Sequence, residues 1–95
     1  MTYRIEIKSS AKKELAQLPR EIGENVVREI ARLATNPRPN GCKKLTGSQH
    51  SYRIRVGNYR VVYSLFEQKL IIEIVKIGNR KDVYSNKKDR NKRFV

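Results

Sequence analysis

From Tyr52 to Tyr63 the chain alternates along both sides of Gly57-Asn58. That pattern predicts a β-hairpin, because a tight two-residue turn needs positive φ angles that Gly and Asn tolerate. Counting outward pairs Val56 with Tyr59, Arg55 with Arg60, Ile54 with Val61, Arg53 with Val62 and Tyr52 with Tyr63. Alternation then gathers Tyr52, Ile54, Val56, Tyr59, Val61 and Tyr63 on one face, and Arg53, Arg55 and Arg60 on the other. Like charges directly opposed destabilise a sheet. The Arg55–Arg60 pair is therefore a poor choice for folding alone and fits a face that meets an anion.

The remaining pattern supplies the other elements. Tyr3 to Lys8 alternates and predicts a strand at or near a sheet edge. Ser9-Ser10 offers an N-cap for a helix through Leu18, with Ala11, Leu15 and Leu18 on one side. Pro19 does not continue that helix but suits the start of the next. From Arg20 to about Ala34, the apolar residues Ile22, Val26, Ile30 and Leu33 recur at helical spacing. The natural target of this helical pair is the apolar face of the hairpin. Asn36 to Gly41 reads as a loop, and Cys42 to Gln49 as irregular chain with Leu45 anchoring into the core.

After the hairpin, Glu67-Gln68 is expected to reverse the chain into a strand over Lys69–Ile77. That turn pairs Leu65 with Leu70, Tyr63 with Ile72 and Val61 with Ile74. The opposite face then gains Ile71, Glu73 and Val75 beside Arg60, Val62 and Ser64. A face carrying both arginines and apolar side chains expects a partner. Gly78 to Tyr84 leaves the strand, and a short C-terminal helix could begin there. The predicted fold class is α+β: one small domain in the order β-α-α-β-β-β, its mostly antiparallel sheet covered on one face by a two-helix hairpin. Residues 1–85 are expected to form the domain and 86–95 a basic tail.

Composition changes the picture mainly through charge. The 95 residues carry 22 Lys and Arg against 9 Asp and Glu, a net charge of +13. Such an excess disfavours the compact state by self-repulsion and favours polyanions, nucleic acid first among them. At 38% apolar residues the chain supports a modest single core. No apolar run approaches the roughly 18 residues of a membrane span, and the N-terminus lacks a signal-peptide pattern, so a cytoplasmic location is expected. The lone Cys42 excludes an internal disulfide or multi-cysteine zinc site, and with one histidine besides, no metal is expected.

The candidate chemistry lies on the basic sheet face. Arg53, Arg55 and Arg60 fall within one hairpin width, and Arg80 and Tyr84 follow a strand that pairs beside Arg60. Guanidinium groups bind phosphate and a tyrosine ring stacks on a base. RNA cleavage by 2′-OH attack on the adjacent phosphate builds charge on phosphoryl oxygens, which fixed guanidinium groups stabilise without a metal. A general base is not evident. Arginine stays protonated, strict alternation puts His50 on the core side, and Glu73 is as well suited to holding the arginines in place.

The chain resembles the RelE/ParE superfamily of bacterial toxins, the RelE branch in particular. The resemblance rests on the opening strand with SSAKKELAQLP, then KKLTG, YRIRVGNYRVVY and VKIGNRKDVY in order and spacing. It implies a ribosome-dependent endoribonuclease that cuts mRNA in the A site, leaves a 2′,3′-cyclic phosphate, and needs no metal or other cofactor. It also implies a RelB-like antitoxin partner, an acidic or amphipathic segment that wraps the toxin. Arg60 and Arg80 match the family's phosphate-stabilising positions, and Arg80 also the position proposed to protonate the leaving group. Tyr84 matches the tyrosine that stacks on the substrate. Arg53 and Arg55 fall where family members carry basic residues, often lysines. RNA binding is expected of Arg53, Arg55, Lys43, Lys44 and Lys81. A ParE-like gyrase poison without catalysis stays open as the alternative, as does a fold that acts only as its antitoxin's partner.

Overall fold

The hairpin turn sets the geometry of the sheet. In the computed structural model, which describes residues 2–79, β3 (Ser51–Val56) and β4 (Tyr59–Phe66) pair antiparallel about Gly57-Asn58. Gly57 takes φ +61° while Asn58 stays at negative φ, the pattern of a turn whose first central residue must be glycine. All five predicted cross-strand pairs form: Val56–Tyr59, Arg55–Arg60, Ile54–Val61, Arg53–Val62 and Tyr52–Tyr63.

Around this pair stand β1 (Arg4–Ile7), β2 (Lys43–Lys44) and β5 (Ile71–Asn79). The five strands lie in the order β1-β5-β4-β3-β2. β1 runs parallel to β5 at one edge, and β2 adds a short antiparallel strip at the other. The fold is thus α+β with a mixed, mostly antiparallel sheet. The expected irregular stretch after Cys42 contains β2, a fifth strand that its two lysines, with no apolar pattern, did not reveal.

Because β1 and β2 occupy opposite edges, the chain between them must cross a sheet face. It does so as α1 (Ser9–Ala16) and α2 (Arg20–Leu33). Ala11, Val26, Ile30 and Leu33 meet Ile54, Val61, Tyr63, Leu65, Ile72, Ile74 and Ile77 in one core. Pro19 stands as the N-cap of α2, but Lys8, not a serine, caps α1, and no side chain makes a capping bond there. Leu45 is half-buried outside this core cluster, its amide bonded to the Ser51 carbonyl at 2.8 Å.

The second hairpin departs from its expected register. Phe66 pairs with Ile71 and Leu65 with Ile72, so the turn holds four residues, Glu67 to Leu70, instead of two. Leu70 sits in the left-handed region at φ +56°, where a non-glycine residue is disfavoured. Tyr63 then faces Ile74, a register shift follows, and Val62 faces Lys76 and Val61 faces Ile77. The extra residue lets Ile72, Ile74 and Ile77 all point inward despite the three-residue step between the last two. Gly78 and Asn79 remain in β5, so the chain leaves the sheet later than expected; the suggested C-terminal helix and the tail of residues 86–95 lie outside the described residues.

A polar clasp ties the α2–β2 loop to the sheet. The fully buried Tyr63 hydroxyl donates to the Pro37 carbonyl at 2.6 Å. Burial pushes its phenol well above the ordinary tyrosine range, with Cys42 acting in the same direction, so the ring remains a donor. Replacing Tyr63 with Phe leaves the carbonyl unpaired and should cost about 1–3 kcal/mol. Tyr59→Phe, at a half-exposed ring, should change stability by less than about 0.5 kcal/mol. Urea denaturation of the two variants checks the contrast.

Candidate functional site

Residues directly opposite one another in paired strands project to the same face. One row on the face away from the helices therefore reads Lys43, Arg53, Val62 and Lys76 across β2, β3, β4 and β5. The neighbouring row reads Arg55, Arg60 and Gly78. Arg53 and Arg55 thus share a face with Lys43, as expected. Lys44 does not join them: it stands opposite Tyr52 and projects to the helix side.

Arg60 occupies its expected face but not its expected environment. It is only 2% exposed, whereas Arg55 opposite it is exposed and Arg53 is half-buried. A guanidinium removed from water is expensive unless compensated; Gly78 stands opposite Arg60 on β5. Arg55 faces solvent, and Arg60 places a buried guanidinium in the same row.

Arg53, Arg55 and Lys43 also line a groove of about 410 Å³ at the sheet edge, beside Pro39, Asn40 and Gly41. Its one lining carboxylate among the described residues is Glu29 of α2, which holds Arg32 at 3.2 Å. Glu29 lies more than twenty positions from the arginines in sequence, so no local pattern could associate it with them.

Among the described residues, Glu73 does not act as a counterion for the arginines. It lies opposite Ser64 and beside Glu6 of β1, and makes no ion pair among the described residues. Glu6 is held by Arg4 at 3.2 Å. The open face is consequently polarised, acidic toward β1 and basic toward β2. His50 is exposed instead of core-facing, and its ring lies 5.7 Å from that of Phe66. Cys42 is half-buried and free. Arg80, Lys81 and Tyr84 lie outside the described residues.

A second group missed in the sequence is Glu14 of α1. Its carboxylate accepts from the Ile77 amide at 2.8 Å and from the Lys76 ammonium at 2.8 Å. β1 ends at Ile74 in the pairing, so the outer edge of β5 beyond it lacks a strand neighbour among the described residues. Glu14 covers that edge immediately after the register shift and just before Gly78 and Asn79.

The comparisons with known proteins agree on what this arrangement belongs to. Residues 5–84 match the model of the ParE toxin of the type II toxin–antitoxin system parDE. The chain belongs to the RelE/ParE superfamily of toxins. The toxin is 36% identical over 89 residues to a relative named toxin RelE1 of Methanocaldococcus jannaschii, covering 90% of this chain and 99% of that protein. It is 30% identical over 94 residues to a RelE-like toxin protein of Escherichia coli, covering 95% and 98% of the two chains. Its fold matches RelE in the archaeal RelE–RelB complex from Pyrococcus horikoshii OT3 with a TM-score of 0.76, at 33% identity over 84% of this chain and 97% of that one. A double arginine-to-alanine variant of E. coli RelE in the free state gives a TM-score of 0.75 at 26% identity, over 88% and 92% of the two chains.

The Glu14 contacts generate a graded prediction. Glu14→Ala loses both bonds and should cost about 1–3 kcal/mol, while Glu14→Gln keeps an acceptor for the Ile77 amide and should cost under about 1 kcal/mol. Hydrogen exchange at Ile77 should accelerate strongly in the first variant and modestly in the second.

Proposed function

We propose that this toxin acts as a RelE-type endoribonuclease that cuts mRNA on the ribosome. The observation that carries the reading is the row of paired arginines, Arg55 opposite Arg60 with Arg53 and Lys43 alongside, on the sheet face left open by the helices. A like-charge pair kept in the centre of a sheet suits a phosphate. The relatives named RelE support the same direction.

In this mechanism Arg53 and Arg55 hold the mRNA phosphates at the surface, and Lys43 extends the track. Arg60 and Arg80 stabilise the charge that builds on the phosphoryl oxygens as the 2′-OH attacks. The P–O5′ bond breaks, a 2′,3′-cyclic phosphate forms, and the departing 5′-oxygen takes a proton from Arg80, which regains one from water. Tyr84 stacks on the substrate base. The proton from the 2′-OH passes to Glu29, whose carboxylate lines the arginine groove. The ribosome supplies alignment of the substrate, so the isolated toxin cuts free RNA poorly.

A RelB-like antitoxin completes the proposal. Several of the similar structures are RelE–RelB complexes. A net charge of +13 suits an acidic segment that folds on the toxin.

Translation extracts test the reading. Wild-type toxin should give codon-phased mRNA cleavage, and Arg53→Ala, Arg60→Ala and Glu29→Gln should each reduce its rate by about 10²-fold. Stabilised gyrase–DNA breaks with intact mRNA would instead identify a ParE-like poison.

A further inference from the structure

His50, which the cleavage reading leaves unused, belongs to a second cleft, one lined by residues of both sheet faces. It lies at the end of the hairpin far from Gly57-Asn58, five residues along the strand from Arg55, roughly 17 Å. The cleft has a volume of about 290 Å³, and Leu65 and Tyr52 are among its lining residues. Two ring systems flank it: the His50–Phe66 pair at 5.7 Å, and Tyr52, which stacks on Tyr63 at 5.9 Å. The Arg38 guanidinium lies over the Tyr52 ring at 5.6 Å, and Arg38 Nε donates to the Tyr52 hydroxyl at 3.3 Å.

The walls are held in place before any ligand arrives. Arg38 forms an ion pair with Glu67, which neutralises the cleft's acid. The Tyr63 bond to Pro37 fixes the residue next to Arg38. Lys69 remains at the rim as an exposed cation that makes no ion pair among the described residues.

We propose that this cleft binds one nucleotide of single-stranded RNA, its base stacked against the Phe66 ring beside His50 and its phosphate held by Lys69. Aromatic rings beside cations are how single strands are held without dependence on sequence. The chain's net charge of +13 makes RNA the better electrostatic match than a neutral ligand. An acidic peptide would use the cations but not the flat ring faces. The site is independent of the cleavage reading, since it lies at the other end of the hairpin and shares no residue with the arginine groove.

The test uses the full chain carrying Arg53→Ala and Arg55→Ala, so that binding at the arginine groove is suppressed. Pentauridylate is titrated in at 0.1 M salt while the ring resonances of His50, Tyr52 and Phe66 are followed by NMR. The proposal predicts shifts of all three rings and at least fivefold weaker binding when His50→Ala and Lys69→Ala, both at exposed positions, are added. Unmoved rings, or unchanged affinity in that variant, would overturn it. Equal ring shifts with hexaglutamate would also overturn it, by showing capture of charge without stacking. Ring shifts in a toxin that proves unable to cut mRNA would uphold the cleft while removing the cleavage reading.

Discussion

Two guanidinium groups opposed across adjacent strands are the constraint on which this structure turns. Arg55 and Arg60 face each other because the Gly57-Asn58 turn allows only one register. A one-residue slip would move the arginines into the core and the core side chains out. The same register therefore secures the hydrophobic core on one face and concentrates positive charge on the other. Arg60, almost wholly buried, is the more deeply desolvated of the two.

The rest of the chain supports that arrangement from behind and from the edges. β1 and β2 on opposite edges force α1 and α2 across one face, which leaves the arginine face clear of both these helices. Tyr63 reaches through the core side to hold the α2–β2 loop, and Arg38 ties that loop to the β4–β5 turn through Glu67. Glu14 fastens α1 to β5 where β1 no longer covers it. Each contact spans a long stretch of sequence, and each fixes a segment next to the charged surface or the second cleft.

Much of this was legible in the sequence, for reasons that separate clearly. The first hairpin was readable because period-two alternation and a glycine-led turn agree on one register, and the helices because Ile22, Val26, Ile30 and Leu33 keep helical spacing. The second hairpin misled because Leu70 looks like a strand residue yet adopts a left-handed turn conformation. Its bulge left one trace, the three-residue step from Ile74 to Ile77. Strand β2 left none, since two lysines carry no apolar pattern. At the site, alternation placed Arg53, Arg55 and Arg60 on one face correctly but could not anticipate the burial of Arg60. It also placed His50 inward, whereas the residue, one position before β3 begins, is exposed. Glu14, Glu29 and the orientation of Lys44 depend on tertiary contacts that no local signal encodes.

The central claim is that Arg55 is kept for an anion and against stability. The most direct measurement is the unfolding free energy of Arg55→Thr at low salt, paired with mRNA cleavage in a translation extract. Threonine suits a strand and removes the like-charge opposition. The account predicts a toxin more stable by roughly 0.2–1 kcal/mol that has lost most of its cleavage. A variant that is less stable, or that cuts mRNA as well as the wild type, would contradict it.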